Sequence, residues 1–426
     1  MDIKSIENFK LSDLKYDFND DNRFIHNYNR DLHFVLLWEN GRSKENKIID
    51  KIESEYDIKY CVEIIWSNEY KRANFNRLYS QQIDSKLNLK KHKKVGMGEF
   101  LCIVFEDPNP NYQYLKSLSG EVFIGNKNVV DTKYEIRNIL GDNLLHGTAS
   151  ISEFFHHGIL IFHEELLNHI LSISTWDNEV HRMKQDMAGA TGWKSFSEFF
   201  KAMNYSSNWL VLRNHEFLPD DFWGNDKDID LMCDNIKKFV SASNANKRRG
   251  GLSAYETIVE GQKVLLDIRY VGDNYYNSVW ESDMLARKQY KSGYVPILRT
   301  DDYFFSLLYH AKLQKRTVKD VYISRLIKLG NQIGLRNISK STILNDKIAI
   351  SILNGFLNER GYYFTLPYDK RVYLNKNSFK FINAHPLIVK ESIKSKIIKF
   401  ISRVFPSPVK RLVPHKLKRL ITKRVN

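Results

Sequence analysis

The chain has 426 residues, 42% of them hydrophobic, with 65 Lys+Arg against 50 Asp+Glu for a formal charge of +15. That length calls for two or three domains, and the apolar content excludes a wholly disordered chain. No run approaches the ~18 apolar residues of a membrane span, no apolar leader follows Met1, and three scattered cysteines give neither a disulfide framework nor a CxxC metal site, so a soluble, cytoplasmic protein is expected.

Residues 1–31 are polar and read as an N-terminal arm. His33–Leu37 reads as a strand, Asn46–Tyr56 as a helix on Ile48, Ile49 and Ile52, and Tyr60–Ile65 as a second strand. A helix is expected over Glu69–Tyr79 and a charged turn at Lys90–Lys94. A third strand over Gly98–Phe105 is closed by Asp107-Pro108-Asn109-Pro110. This β-α-β-(α)-β order suits a small ferredoxin-like sandwich. Residues 151–203 are mostly helical in pattern, with a break at Gly189–Gly192. Strands recur at Asn208–Leu212, Ile229–Met232 and Lys263–Tyr270. Helical spacing returns from Thr300 to Phe356, followed by a polar, Tyr-rich stretch to His385. The fold class is α/β (α+β).

The positive charge is concentrated at the end. Residues 391–426 hold eleven Lys/Arg against Glu391 alone, which is +10 of the +15. Apolar residues recur there at helical spacing on either side of Pro406 and Pro408. Two short basic amphipathic helices are the reading, suited to an anionic membrane surface where each cation adds about 1 kcal/mol. Nucleic acid is not expected as a partner, because the apolar stripe adds nothing to phosphate binding.

Two constellations carry chemistry. In the first, Asn143-Leu144-Leu145-His146-Gly147-Thr148 follows a basic stretch that includes Lys133 and Arg137. This resembles nucleoside diphosphate kinases over about residues 32–165, and Leu37-Trp38-Glu39-Asn40-Gly41 falls where that family has Ile-Lys-Pro-Asp-Gly. The resemblance implies a phosphoacceptor role for His146, with Lys133, Arg137 and Asn143 around the phosphate. Trp38 takes the place of the family's lysine, Lys133 that of its arginine, and His157 that of the glutamate orienting the histidine. His156-His157, with His163 and His169, read as helix-surface histidines rather than metal ligands, since no pair has i,i+3 or i,i+4 spacing.

In the second, Asp228 and Asp230 flank one apolar residue, so an extended strand places both on one face. Asp267 stands alone in the apolar run Val264–Tyr270, where an isolated carboxylate is costly unless paired or metal-bound. Neighbouring strands would gather three carboxylates fit for Mg²⁺ (or Mn²⁺). Arg213 is equally suited to pairing with these acids or to holding a donor, as is Arg269. Lys247-Arg248-Arg249 reads as a mobile phosphate clamp. Over about residues 195–312 this arrangement resembles the nucleotidyltransferase fold, with Asp-h-Asp on one strand and a third Asp on another. The resemblance implies that Asp228, Asp230 and Asp267 hold the metal and that Asp267 assists catalysis. Gly224-Asn225 is the nearest substitute for the family's Gly-Ser pair.

The expected organisation is therefore an arm (1–31), a kinase-like domain (32–165), a helical linker (166–194), a nucleotidyltransferase-like domain (195–320), a helical region (321–390) and a basic tail (391–426). The expected function is Mg-dependent transfer of a nucleotidyl or sugar/polyol-phosphate group. It would run from a nucleotide-activated donor to a glycan or lipid-linked acceptor in bacterial surface-polysaccharide assembly, at the cytoplasmic side of the inner membrane. The alternatives are an inactive nucleotide- or glycan-binding scaffold and a histidine phosphotransferase using His146.

Overall fold

The structure is a computed structural model. It describes residues 30–80, 86–116, 122–224, 228–249, 251–335 and 337–383, with only the backbone for 86–89. The expectations for the N-terminal arm, for the basic tail and for Asn225 lie outside the described residues.

The N-terminal half starts with β1 (Asp31–Leu37), α1 (Glu45–Glu53), β2 (Asp57–Ile65), α2 (Lys71–Leu78), α3 (Lys86–Val95) and β3 (Phe100–Asp107). A hairpin of β4 (Tyr112–Lys116) and β5 (Val122–Asn126) follows, then α4 (Lys127–Leu140), β6 (Leu145–Gly147), α5 (Ile151–Ser172) and β7 (Val180–Lys184). The sheet order is β6-β1-β3-β2-β7, antiparallel except for the β2·β7 pair. Both faces of β1 are covered. Leu32, Phe34 and Leu36 join the core that contains α5, while Val35 and Leu37 join the one under α1 and α4. Two-residue alternation with apolar residues on both sides produces this double burial.

The C-terminal half has α6 (Phe196–Ser206), β8 (Trp209–Val211), β9 (Asp228–Cys233), α7 (Ile236–Ala242), β10 (Asn246–Lys247), β11 (Ala254–Val259) and β12 (Gln262–Tyr270). After α8 (Ser278–Ala286), β13 (Gln289–Lys291) and β14 (Val295–Ile297) come five helices: α9 (Thr300–Leu313), α10 (Asp320–Gln332), α11 (Lys340–Leu344), α12 (Asp346–Glu359) and α13 (Lys376–Phe379). The seven-stranded sheet runs β10-β11-β12-β9-β8-β14-β13. One face packs on α6 and α7 in a core continuous with the first sheet. The other packs on α8 to α12 through Leu210, Leu212 and Met232. Ser-x-x-Glu capping boxes start α5 and α6, with Ser150 Oγ accepting from the Glu153 N–H and Ser195 Oγ from that of Glu198. Among the described residues no helix is long and apolar enough to cross a membrane.

Four readings change. Lys90–Lys94 is the end of α3, because Lys and Leu are good helix formers and basic residues in a last turn suit the helix dipole. The 166–194 linker is not wholly helical: α5 runs into it to Ser172, and β7 adds an edge strand beside β2. The β4–β5 hairpin, on a polar stretch, is new. His156 and His157 are buried rather than on a helix surface, since the apolar run around them packs α5 on two sides.

Candidate active site

Strands β9 and β12 are parallel neighbours, and Asp267 pairs in register with Asp230, Leu265 with Asp228 and Arg269 with Met232. Alternation sends Ile229, Leu231, Val264, Leu266 and Ile268 into the core shared with α6 and α7. Asp228, Asp230 and Asp267 are thereby left on the opposite face, where the helices α8 to α12 stop covering the sheet. There all three line one cavity of about 800 Å³.

The cavity is strongly basic. Its carboxylates are Asp228, Asp230, Asp267 and Asp369, and its cations are Arg213, Arg248, Arg269, Lys315, Arg316, Lys319 and Arg371. Arg213 grips Asp230 with two hydrogen bonds, Nη2 to Oδ1 at 2.6 Å and Nε to Oδ2 at 3.1 Å. Burial works against its charge, but Asp230 and the Tyr275 and Tyr276 hydroxyls outweigh that and hold the guanidinium protonated. Arg269 lies 3.3 Å from Asp267 and 3.8 Å from Asp369, with its guanidinium 4.2 Å from the Tyr275 ring centroid. Asp267 Oδ1 is buried without a hydrogen-bond donor. The Tyr275 hydroxyl is 2.9 Å from His310 Nδ1, and burial followed by Arg213 holds that imidazole neutral.

The donor set has the oxygen chemistry of a Mg²⁺ or Mn²⁺ site, with Asp267 Oδ1 accepting no hydrogen bond although Arg269 Nη2 stands 3.3 Å from it. Asp228 and Asp267 would be the ligands, joined by Asp230 once Arg213 lets go. The three carboxylates are not gathered at one-ion spacing. Among the described residues that spacing, 4.8 Å or less between all ligand atoms, occurs in Asp177, Glu179 and His181, beside or on edge strand β7.

The expected donor clamp is split. Arg248, just past β10, lines this cavity, whereas Lys247 on β10 lines another, next to α7. Arg249 is exposed, and Gly224 sits in a turn at φ +87° with open space around it. Asp369 was not anticipated from the sequence. It comes from an irregular segment far along the chain and is fastened beside the site by the Tyr368 N–H to Asp273 carbonyl bond.

The first constellation is also assembled, in a different manner. His146 sits on β6 opposite Leu36, with Nε2 3.4 Å from Nδ1 of His157. Burial, and then His157, pushes the His146 pKa well down; burial takes His157 to about 3. The Tyr79 ring stands edge-on to His146 at 4.9 Å. Lys133 spends its ammonium on the Gly147 and Thr148 carbonyls at 2.6 and 3.3 Å, and burial lowers it to about 8. Arg137 donates to Asn143 Oδ1 at 3.1 Å. Trp38 is buried among Trp66, Phe75 and Phe100.

No protein-family model, no curated protein and no solved structure matches the chain.

Proposed function

We propose that the chain is a divalent-metal-dependent transferase of nucleotidyltransferase type. It would move a nucleotidyl or sugar/polyol-phosphate group from a nucleotide-activated donor to a glycan or lipid-linked acceptor in bacterial surface-polysaccharide assembly. The observation carrying this reading is the in-register Asp230–Asp267 pair, with Asp228 on the same face, at the floor of a basic cavity. In this reading Asp228 and Asp267 hold the ion, which takes few protein carboxylates when phosphate oxygens complete its shell. The ion would neutralise phosphoryl oxygens and ready a hydroxyl for in-line attack. Arg248, Arg371 and Lys315 bind the donor phosphates, and Asp267 either completes the metal site or takes the acceptor proton. The basic tail, by its sequence, brings the enzyme to the inner leaflet.

The strand order β6-β1-β3-β2, with α1 and α4 on one face, supports a ferredoxin-like, kinase-like reading of the first half. Lys133, engaged on two carbonyls, speaks for a structural rather than a phosphate-clamping role there. The bidentate Arg213–Asp230 pair favours a second reading, an anion-binding module without turnover. Mg²⁺-dependent donor turnover in the intact protein, abolished in folded Asp228→Ala and Asp267→Ala, is expected. Full activity in both variants would refute the role given to these carboxylates, and absence of donor turnover in the intact protein would leave the binding-module reading.

A further inference from the structure

Arg77, on α2, is 6% exposed, yet no carboxylate pairs with it among the described residues. Its Nε donates to the Ser241 carbonyl at 3.0 Å, and its Nη2 to those of Ala188 and Ala242 at 2.7 and 2.8 Å. Its Nη1 is buried with no hydrogen-bond partner. Burial lowers its pKa to about 9. Carbonyl dipoles satisfy part of such a group, but a buried charge without a counter-charge is costly.

The residue also lines a cavity of about 600 Å³ between α2 and α7, beside β10 and β11. Ala73, Asn76 and Ser80 flank it on the N-terminal side, and Lys237, Lys247 and Tyr255 on the C-terminal side. No acid lines this cavity among the described residues, although Asp369 and Asp267 of the carboxylate cavity act on Lys247 at longer range. Lys247 is held at the wall by the Leu252 carbonyl and by the Tyr255 ring, 4.1 Å from its ammonium. The volume lies within the ~300–1,000 Å³ usual for small-molecule sites.

We propose that this cavity is a second binding site, separate from the carboxylate cavity, and that it takes an organic phosphate of about nucleotide size. The phosphate supplies the counter-charge that Arg77 lacks, with Lys237 and Lys247 binding its oxygens. Tyr255 gives the organic part an apolar surface. Since Arg77 belongs to α2 and its carbonyl partners Ser241 and Ala242 to α7, an occupant ties the two halves together.

The test is hydrogen exchange on the full chain in EDTA, with ADP and inorganic phosphate as probes. ADP is expected to slow exchange in residues 73–80 and 236–247, with phosphate requiring at least tenfold higher concentration. The double reversal Lys237→Glu/Lys247→Glu, at two exposed positions, is expected to weaken this ADP effect at least tenfold. Reversal of Arg248 and Arg371 to Glu in the other cavity is expected to leave it in place. Absence of ADP protection in these segments would overturn the proposal, as would protection unchanged by Lys237→Glu/Lys247→Glu. Phosphate acting as tightly as ADP would overturn the assignment of an organic ligand.

Discussion

Replacing Arg213 by Met keeps an unbranched apolar stem and removes the guanidinium that partners Asp230. The Arg213 and Asp230 side chains are 4% and 13% exposed, so the pair is largely out of water. Breaking a buried pair by removing one partner costs about 3–5 kcal/mol. Asp230 borders the cavity and regains some hydration there, which brings the expected loss to about 2–3 kcal/mol. The same change frees Asp230 beside Asp267, so a divalent ion should bind the variant more tightly than the parent. An ion at 100 times its dissociation constant returns about 2.7 kcal/mol, comparable to the loss. Urea denaturation at pH 7 in EDTA and in MgCl₂ measures both effects. A loss below about 0.5 kcal/mol in EDTA would refute the energetic reading of the pair. Equal Mg²⁺ stabilisation of parent and variant would refute the competition between guanidinium and ion.

Trp38→Ala should cost about 3–5 kcal/mol in chemical denaturation, because it empties a cluster formed with Trp66, Phe75 and Phe100; Trp38→Phe should cost far less. A loss under 1 kcal/mol for the alanine variant would contradict the packing role of this position. Burial, together with the charge of Asp273, raises the Glu281 pKa to about 8. The folded chain therefore keeps a proton that the unfolded chain releases near ~4.3, so this group's contribution makes stability fall as pH rises from about 4.5 to 8. Asp273→Asn retains the Oδ1 that accepts from the Tyr275 N–H and removes the neighbouring charge, so it should flatten that slope in melts across the window. An unchanged slope would show that another group governs it.

The site was legible where alternation fixes direction. Asp-Ile-Asp on a strand and a lone Asp in Val264–Tyr270 specify one face each, and only the adjacency of β9 and β12 had to be supplied by the fold. The basic run Lys247-Arg248-Arg249 is divided because β10 ends at Lys247, a boundary that three consecutive cations do not mark. Asp369 carries no local signal, since the polar segment that holds it has no periodicity and reaches Arg269 only through tertiary folding. Histidines 156 and 157 were misplaced because helical spacing alone does not tell a one-sided helix from one buried on both sides. Likewise β7 and the β4–β5 hairpin are short and largely exposed, so hydrophobic alternation marks them weakly.

A divalent ion at the β9–β12 carboxylates is read directly by Mn²⁺ titration followed by electron paramagnetic resonance. With a nucleotide present, one ion per chain should bind, and Asp267→Asn should weaken it at least tenfold while Asp177→Asn at the exposed Asp177–Glu179–His181 cluster leaves it intact. Binding indifferent to Asp267 and lost in the Asp177 variant would place the ion at edge strand β7 and contradict the claim.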